Sequence, residues 1–331
     1  MVFAIPNSLN RAVSQIFPQN VIAVIWDFDK TLIPGNMQGP LFRHYGIDEA
    51  EFWAEVDGLE EFYRSHGSKL IQRDHLYLNH ILSYVRHGRM PGLSNQLLEE
   101  LGSRIDFYSG IPDFMELLKK EIQADPFFAE HQITVEHYVV STGLRRMILG
   151  SAIAPYIDYV WACEFTELVA PPEYQNKQGQ LFSPEGEIQQ LIYVIDNTSK
   201  TRAVFEINKG TNKNPSIDVN AKIAPEDRRV PFQNMIYIAD GPSDVPVFSI
   251  VSGNGGRTYA VYNPGSEREF AQAARLLEQR RVDAFGEADY RDGSQTAMWI
   301  RHAARGIAER IVRDRAAALS DRVGQPPRHV G

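Results

Sequence analysis

Val21-Ile22-Ala23-Val24-Ile25-Trp26 runs directly into Asp27-Phe28-Asp29-Lys30-Thr31. Six apolar residues in a row, without the alternation of a half-exposed strand, read as a strand buried on both faces. Polarity then changes within one residue. In extended geometry Asp27 and Asp29 project to one side while Phe28 faces the other. Two carboxylates that close repel unless a cation or a shared proton relieves them. Taken alone, Asp-x-Asp-x-Thr after a strand is as well explained by a turn as by a site.

The same pattern recurs further along. Ile133 to Val140 ends in Ser141-Thr142-Gly143, and Met235 to Ala239 ends in Asp240-Gly241-Pro242-Ser243-Asp244. Thr258 to Tyr262 predicts a fourth strand, closed by Asn263-Pro264-Gly265. Three apolar strands that each stop at hydroxyl or carboxylate residues predict one parallel sheet in an α/β fold, whose ligands bind beyond the carboxyl ends of the strands. Between the first two strands the period changes. Phe52, Trp53, Val56, Leu59, Phe62 and Tyr63, then Leu78, Ile81, Leu82 and Val85, recur at helical spacing. Residues 34–107 therefore read as an inserted helical domain, and 1–33 with 108–331 as the discontinuous core. Phe114, Leu117, Leu118 and Ile122, after Pro112, predict the helix that returns to the sheet. Residues 157–195 alternate weakly and contain Asn176-Lys177-Gln178-Gly179, a hairpin turn signal. The tail predicts helices over 266–281 and 294–318, and a frayed end from Val323.

Composition narrows the class. The chain has 331 residues, 43% hydrophobic and 23% charged, which is ordinary globular usage. No apolar run is long enough to span a bilayer. Met1 to Asn20 has Arg11 and no long apolar core, so no secretory signal is expected. A single cysteine, Cys163, cannot form an internal disulfide, which fits a reducing cytoplasm. Acidic residues number 42 against 34 basic, a net charge of −8, which gives no general attraction to nucleic acid or anionic membrane. The nine histidines show no zinc-ligand spacing.

Taken in order, Asp27-Phe28-Asp29-Lys30-Thr31, Ser141-Thr142-Gly143, Lys200 opening a helix and Asp240 to Asp244 resemble the four motifs of the haloacid dehalogenase superfamily of phosphohydrolases. The resemblance covers about 21–33 and 108–265, and more loosely the insert. It implies a Rossmann-like parallel sheet flanked by helices, with an α-helical cap domain at 34–107. It also implies roles. Asp27 would be the nucleophile that forms an aspartyl-phosphate. Asp29 would be the general acid and then the base, with its main-chain carbonyl on the metal. Thr31 would hold the loop. Asp27, Asp29, Asp240 and Asp244 would form an oxygen-only site for Mg²⁺. Ser141 would donate to a phosphoryl oxygen, helped by backbone N–H groups near Thr142 and Gly143, and Lys200 would stabilise charge on nucleophile and phosphate.

Lys177, Lys209, Lys213 and Lys222 also fall between the second and fourth motifs. Lys200 is preferred because Thr198 or Ser199 could cap a helix there that buries Val204, Phe205 and Ile207. The insert's position resembles the phosphoserine-phosphatase-like branch. In that branch a glutamate nine residues after the nucleophile meets the substrate's amino group, whereas this chain has Asn36, which argues against phosphoserine itself. Gln38, Arg43, His44, Tyr63 and Arg64 are the cap residues available for specificity. The expectation is a cytoplasmic, Mg²⁺-dependent phosphatase for a small phosphorylated metabolite, without nucleic acid or membrane partners and with homo-oligomerisation left open. Two alternatives stand beside it: a phosphotransferase or mutase on the same aspartyl-phosphate, and a non-catalytic phosphate-binding scaffold working through its tail.

Overall fold

The computed structural model describes residues 19–177 and 186–323. The expected frayed end from residue 324, part of the hairpin turn (Gln178 and Gly179) and residues 1–18 lie outside them.

Seven strands form one sheet: β1 (Val21–Trp26), β2 (Thr134–Leu144), β3 (Tyr159–Thr166), β4 (Gln190–Tyr193), β5 (Met235–Ala239), β6 (Arg257–Tyr262) and β7 (Ala284–Glu287). Their order is β4-β3-β2-β1-β5-β6-β7. The four strands that the apolar runs predict are all present. Every residue of β1 is buried, and since successive side chains point to opposite faces, both faces of the central strand are covered. Burying such a run is the main source of stability for this kind of sheet, at about 25 cal/mol per Å² of apolar surface.

The architecture is α/β and Rossmann-like, but the sheet is mixed. Six strands run parallel, and β4 pairs antiparallel with β3 at the edge. The edge place explains β4's weak signal: Gln190, Ile192 and Tyr193 are exposed, so no apolar run marks it. The expected end of β2 at Val140 also shifts. The strand runs on through Ser141-Thr142-Gly143 to Leu144, with an irregular register between Val140 and Leu144. Short β7 has no counterpart in the sequence reading.

Residues 34–107 hold the helices Gly39–Tyr45, Glu49–Ser65, Leu76–Arg86 and Asn95–Gly102. Phe52, Leu78, Ile81, Leu82 and Val85 are buried there, and the Phe42 and Phe52 rings lie 4.6 Å apart. Asp48 and Ser94 cap two of these helices, accepting from Glu51 N–H at 2.9 Å and Leu97 N–H at 3.0 Å. The last helix packs backbone to backbone on the Arg145–Gly150 helix. A Cβ at Gly102 would stand 2.2 Å from the Met147 carbonyl oxygen, and one at Gly150 would stand 1.8 Å from that of Glu99. The tail helices run Glu267–Glu278 and Gln295–Val323, and the second buries Ile300, Ala304, Ile307, Ala308 and Ile311 as its spacing predicts.

Candidate active site

The chain leaves β1 for β2 on one side, builds out to β4, then returns to β5 on the other side of β1. The carboxyl ends of β1 and β5 therefore flank the point where the topology switches, which is where open α/β sheets bind ligands. Asp27 follows β1 and Asp240 follows β5, and the backbone N–H of Asp27 donates to the Ile238 carbonyl at 2.9 Å. Asp27, Asp240 and Asp244 each offer a carboxylate oxygen, and these lie within 4.8 Å of one another.

Lys200 opens the Lys200–Lys209 helix and is 2% exposed. Its Nζ donates to Asp27 Oδ1 at 2.8 Å and to Asp244 Oδ1 at 2.7 Å. Ser199, one of the two expected residues, holds the N-cap position, but its side chain makes no capping hydrogen bond to the first turn. Asp196 does that work: its Oδ1 accepts from Ser199 N–H at 2.6 Å, its own N–H donates to Ser199 Oγ at 2.7 Å, and its carbonyl accepts from Lys200 N–H at 3.0 Å. This reciprocal pair fixes the helix mouth, and with it the buried lysine.

Asp29 lies apart from the three-carboxylate group. Its Oδ1 accepts from the backbone N–H of Met37 at 2.9 Å. Lys30, beside it, is exposed and holds a left-handed backbone with φ of 56°, a conformation that costs a non-glycine residue about 1 kcal/mol or more. Thr31 is buried; its hydroxyl reaches Asp27 Oδ2 only at 3.5 Å, while its carbonyl accepts from Tyr290 Oη at 2.6 Å. Ser141 is also buried, and its Oγ accepts from Gly143 N–H at 3.0 Å. The Thr142 carbonyl accepts from Tyr77 Oη at 2.7 Å and from Cys163 Sγ at 3.4 Å. Of the five residues of 34–107 named for specificity, Gln38 alone is turned inward: its Oε1 is buried and makes no hydrogen bond among the described residues. Arg43, His44, Tyr63 and Arg64 are exposed.

Three contributors carry no sequence signal of function. Tyr237 sits in the middle of β5 and donates its hydroxyl to Asp244 Oδ1 at 2.5 Å. Ser243 donates to Asp244 Oδ2 at 2.8 Å. Met37 supplies the N–H to Asp29, and its Sδ accepts from Leu144 N–H at 3.0 Å, which ties the first loop to the second.

Electrostatics follow from burial. Desolvation, with Asp27 nearby, pushes the Asp29 carboxyl up to about 7. Desolvation and the Asp27 and Asp244 charges push Asp240 up to about 8. Asp27 rises to about 6, since desolvation outweighs the pull of Lys200. Desolvation acts to lower Lys200, but Asp244 and Asp27 outweigh it and hold the ammonium charged. Three grouped carboxylates, with Asp29 close enough to feel Asp27, thus share one buried cation. This donor set is all oxygen and short of positive charge, and it is compatible with a hard divalent ion.

No family model matches the chain. A Borreliella burgdorferi protein described as uncharacterized is 40% identical over 285 residues, 85% of this chain and 96% of that one. The chain belongs to the same family as that protein. A HAD family hydrolase of Salmonella enterica serovar Typhi aligns with TM-score 0.48 at 13% identity, over 82% of this chain and 68% of that one. A phosphoserine phosphatase in apo form aligns with TM-score 0.44 at 15% identity, over 82% and 96%. A probable phosphoserine phosphatase of Vibrio cholerae aligns with TM-score 0.47 at 12% identity, over 90% and 69%. At these scores and identities, any activity has to be read from this chain's own side chains.

Proposed function

We propose that this chain is a phosphohydrolase of the haloacid dehalogenase superfamily that cleaves a small phosphomonoester through a covalent phosphate on Asp27. One observation carries the reading. Lys200 Nζ bridges Asp27 and Asp244 at 2.8 and 2.7 Å, inside a group of three carboxylates at the switch point of the sheet. No structural need explains so much buried acid around one lysine, whereas phosphoryl transfer uses each part.

Asp27 attacks phosphorus, and the bond from phosphorus to the leaving oxygen breaks. Asp29, whose carboxyl is pushed up to about 7, gives its proton to that oxygen. As a carboxylate it then takes a proton from water; the water oxygen attacks phosphorus, the bond to Asp27 breaks, and phosphate leaves. The Met37 N–H on Asp29 Oδ1 aims the carboxyl. Lys200 offsets negative charge on Asp27 throughout. Ser141 Oγ accepts from Gly143 N–H, so its own hydrogen is free to reach a phosphoryl oxygen.

Mg²⁺ would suit this oxygen donor set; Asp27, Asp240 and the Asp29 carbonyl would hold it, and it would supply charge neutralisation and orientation of the phosphate. Asp244 was the expected fourth metal ligand. Its oxygens already accept from Lys200, Tyr237 and Ser243, so we assign it to holding Lys200 instead.

Residues 34–107 act in this reading as the cap, with Gln38 facing the leaving group. Its unpartnered Oε1 favours a hydrogen-bond donor on the substrate, and with Asn36 in place of a glutamate no carboxylate waits there for an amine. Cys163 is buried and burial pushes its thiol up to about 11, so it has no redox chemistry in this reading; a cytoplasmic setting is part of the same proposal. Hydrolysis of an aryl phosphate by the Asp27→Asn variant, with Mg²⁺ and with chelator, tests the proposal. Abolished turnover with an unchanged fold is expected, and metal-dependent turnover by the variant would overturn it.

A further inference from the structure

A cleft of about 660 Å³ opens at the other end of the sheet, between the Gln295–Val323 helix and the amino ends of β5, β6 and β7. Gln233 precedes β5, Arg257 begins β6, and Asp283 precedes β7. The five residues of β5 separate this cleft from Asp240 by roughly 17 Å. The helical wall is a stripe at three- and four-residue spacing: Trp299, Ala303, Gly306, Arg310 and Arg313. Its middle is kept low by small residues, and nothing lies within 4 Å of where a Cβ on Gly306 would stand. Trp299 closes one end, its ring 4.6 Å from that of Tyr259.

Charge gathers at the other end. Arg310 is fixed by the Gln233 carbonyl and by Asn234 Oδ1, both at 2.7 Å, with Asp314 at 3.5 Å. Arg313 on the same helix and Arg257 on the facing wall are exposed, and neither makes an ion pair among the described residues. Neither carboxylate lining the cleft makes an ion pair with Arg257, Arg310 or Arg313 among the described residues, although Asp283 keeps its charge. Asp283 accepts from the Thr258 N–H at 2.8 Å and its hydroxyl at 3.3 Å, and Glu309 pairs with Arg305 at 3.4 Å. Burial, with smaller contributions from Arg313 and Arg257, outweighs the pull of Asp314 and holds Arg310 below the usual arginine range.

Drawing three guanidinium groups together costs energy in the free protein, and the overall charge of −8 gives no general reason for it. A polyanion would offset that repulsion with charge-assisted, bidentate hydrogen bonds. We propose that this cleft is a second ligand site, for a small phosphorylated metabolite. Its phosphates sit on Arg257, Arg310 and Arg313, and its organic part lies along Ala303 and Gly306 toward Trp299. The volume is that of a small-molecule site. The assignment does not depend on the phosphatase reading.

Calorimetric titration of the full chain in chelator tests it, with pyrophosphate, ADP and adenosine as ligands. Saturable binding of pyrophosphate is expected, tighter binding of ADP, and none of adenosine. The Arg257→Ala/Arg313→Ala double variant is expected to bind the anions about tenfold or more weakly. It should melt as the parent does and keep the parent's aryl phosphatase activity. Asp27→Asn is expected to bind both anions as the parent does, which separates this site from the carboxylate cluster. Unchanged affinity in the double variant, or no saturable binding of either anion at millimolar concentration, overturns the proposal. Pyrophosphate binding as tightly as ADP would overturn the part assigned to Trp299.

Discussion

Lys200 Nζ donates to Asp27 Oδ1 at 2.8 Å across 173 residues of chain. The contact is almost closed to water, with the lysine side chain 2% and the aspartate 9% exposed. Such a pair is costly to break, because removing one partner leaves the other charge buried and uncompensated. Lys200→Met keeps the bulk and removes the charge. It is expected to lower kcat on an aryl phosphate by about 10²- to 10³-fold, as loss of a preorganised electrostatic contact does. It is also expected to lower stability by about 3–5 kcal/mol in urea, because Asp27 and Asp244 both lose their counter-charge. A variant with normal kcat would remove Lys200 from the chemistry.

Asp240 lies beside Asp27 and Asp244 and is pushed up to about 8 by desolvation and then by those two charges. Binding of Mg²⁺ should therefore raise the melting temperature of the parent, by the equivalent of about 2–3 kcal/mol at hundredfold excess over Kd. Asp240→Asn should lose that response. Without metal the same substitution should raise the melting temperature at pH 9, since it takes one charge out of a crowded group. A variant that still answers to Mg²⁺ like the parent would exclude Asp240 from the metal site.

Much of this was legible because strand-end motifs are local. An apolar run that stops at Asp27, or at Asp240, announces both a buried strand and a polar end, and parallel order in the sheet brings such ends together. Lys200 could be chosen among five lysines because a helix start was visible beside it; Ser199 is the N-cap residue, although the side chain that secures it is that of Asp196. Tyr237 was not legible. A tyrosine inside a fully buried strand reads as core, and only the fold shows its hydroxyl on Asp244. Met37 acts through a backbone N–H, which every residue has. Tyr290 reaches Thr31 from 259 positions away, with no pattern to link them. The four-residue β7 is hidden by Gly286, a poor strand former that is needed because a Cβ there would stand 2.3 Å from Tyr259 Oη.

His137 gives a pH dependence that is separate from the carboxylates. It is fully buried; its Nδ1 accepts from Trp26 Nε1 at 3.2 Å, and its Nε2 faces the Met115 carbonyl at 2.9 Å. Desolvation pulls its pKa down to about 4. Between pH 6.5 and 4 the unfolded chain therefore binds the proton and the folded chain does not, so stability rises with pH across that window. The contribution is complete above pH 6.5 and is lost as pH falls toward 4. Relative to a His137→Phe variant, the parent is expected to lose about 2 kcal/mol more between pH 7.5 and pH 5. Taking this difference cancels the opposing titration of Asp27, Asp29 and Asp240. Parallel pH profiles for the two proteins would show that His137 titrates normally.

Two helical glycines should respond in opposite directions to the same substitution. Gly58, inside the Glu49–Ser65 helix, has nothing within 4 Å of a built Cβ, so Gly58→Ala should stabilise by up to about 1 kcal/mol through helix propensity alone. Gly102 has the Met147 carbonyl oxygen at 2.2 Å from the same point. That neighbour is backbone and cannot swing aside, so the Asn95–Gly102 and Arg145–Gly150 helices must separate. Gly102→Ala should destabilise by about 1–3 kcal/mol despite its better propensity. Because Ser141 to Leu144 lead directly into the Arg145–Gly150 helix, the same variant should also raise KM for a phosphate ester, while Gly58→Ala leaves KM unchanged. Equal, stabilising effects at both positions in urea denaturation would show that the two helices do not pack this closely, and that residues 34–107 are less firmly joined to the Ser141–Leu144 segment than the geometry indicates.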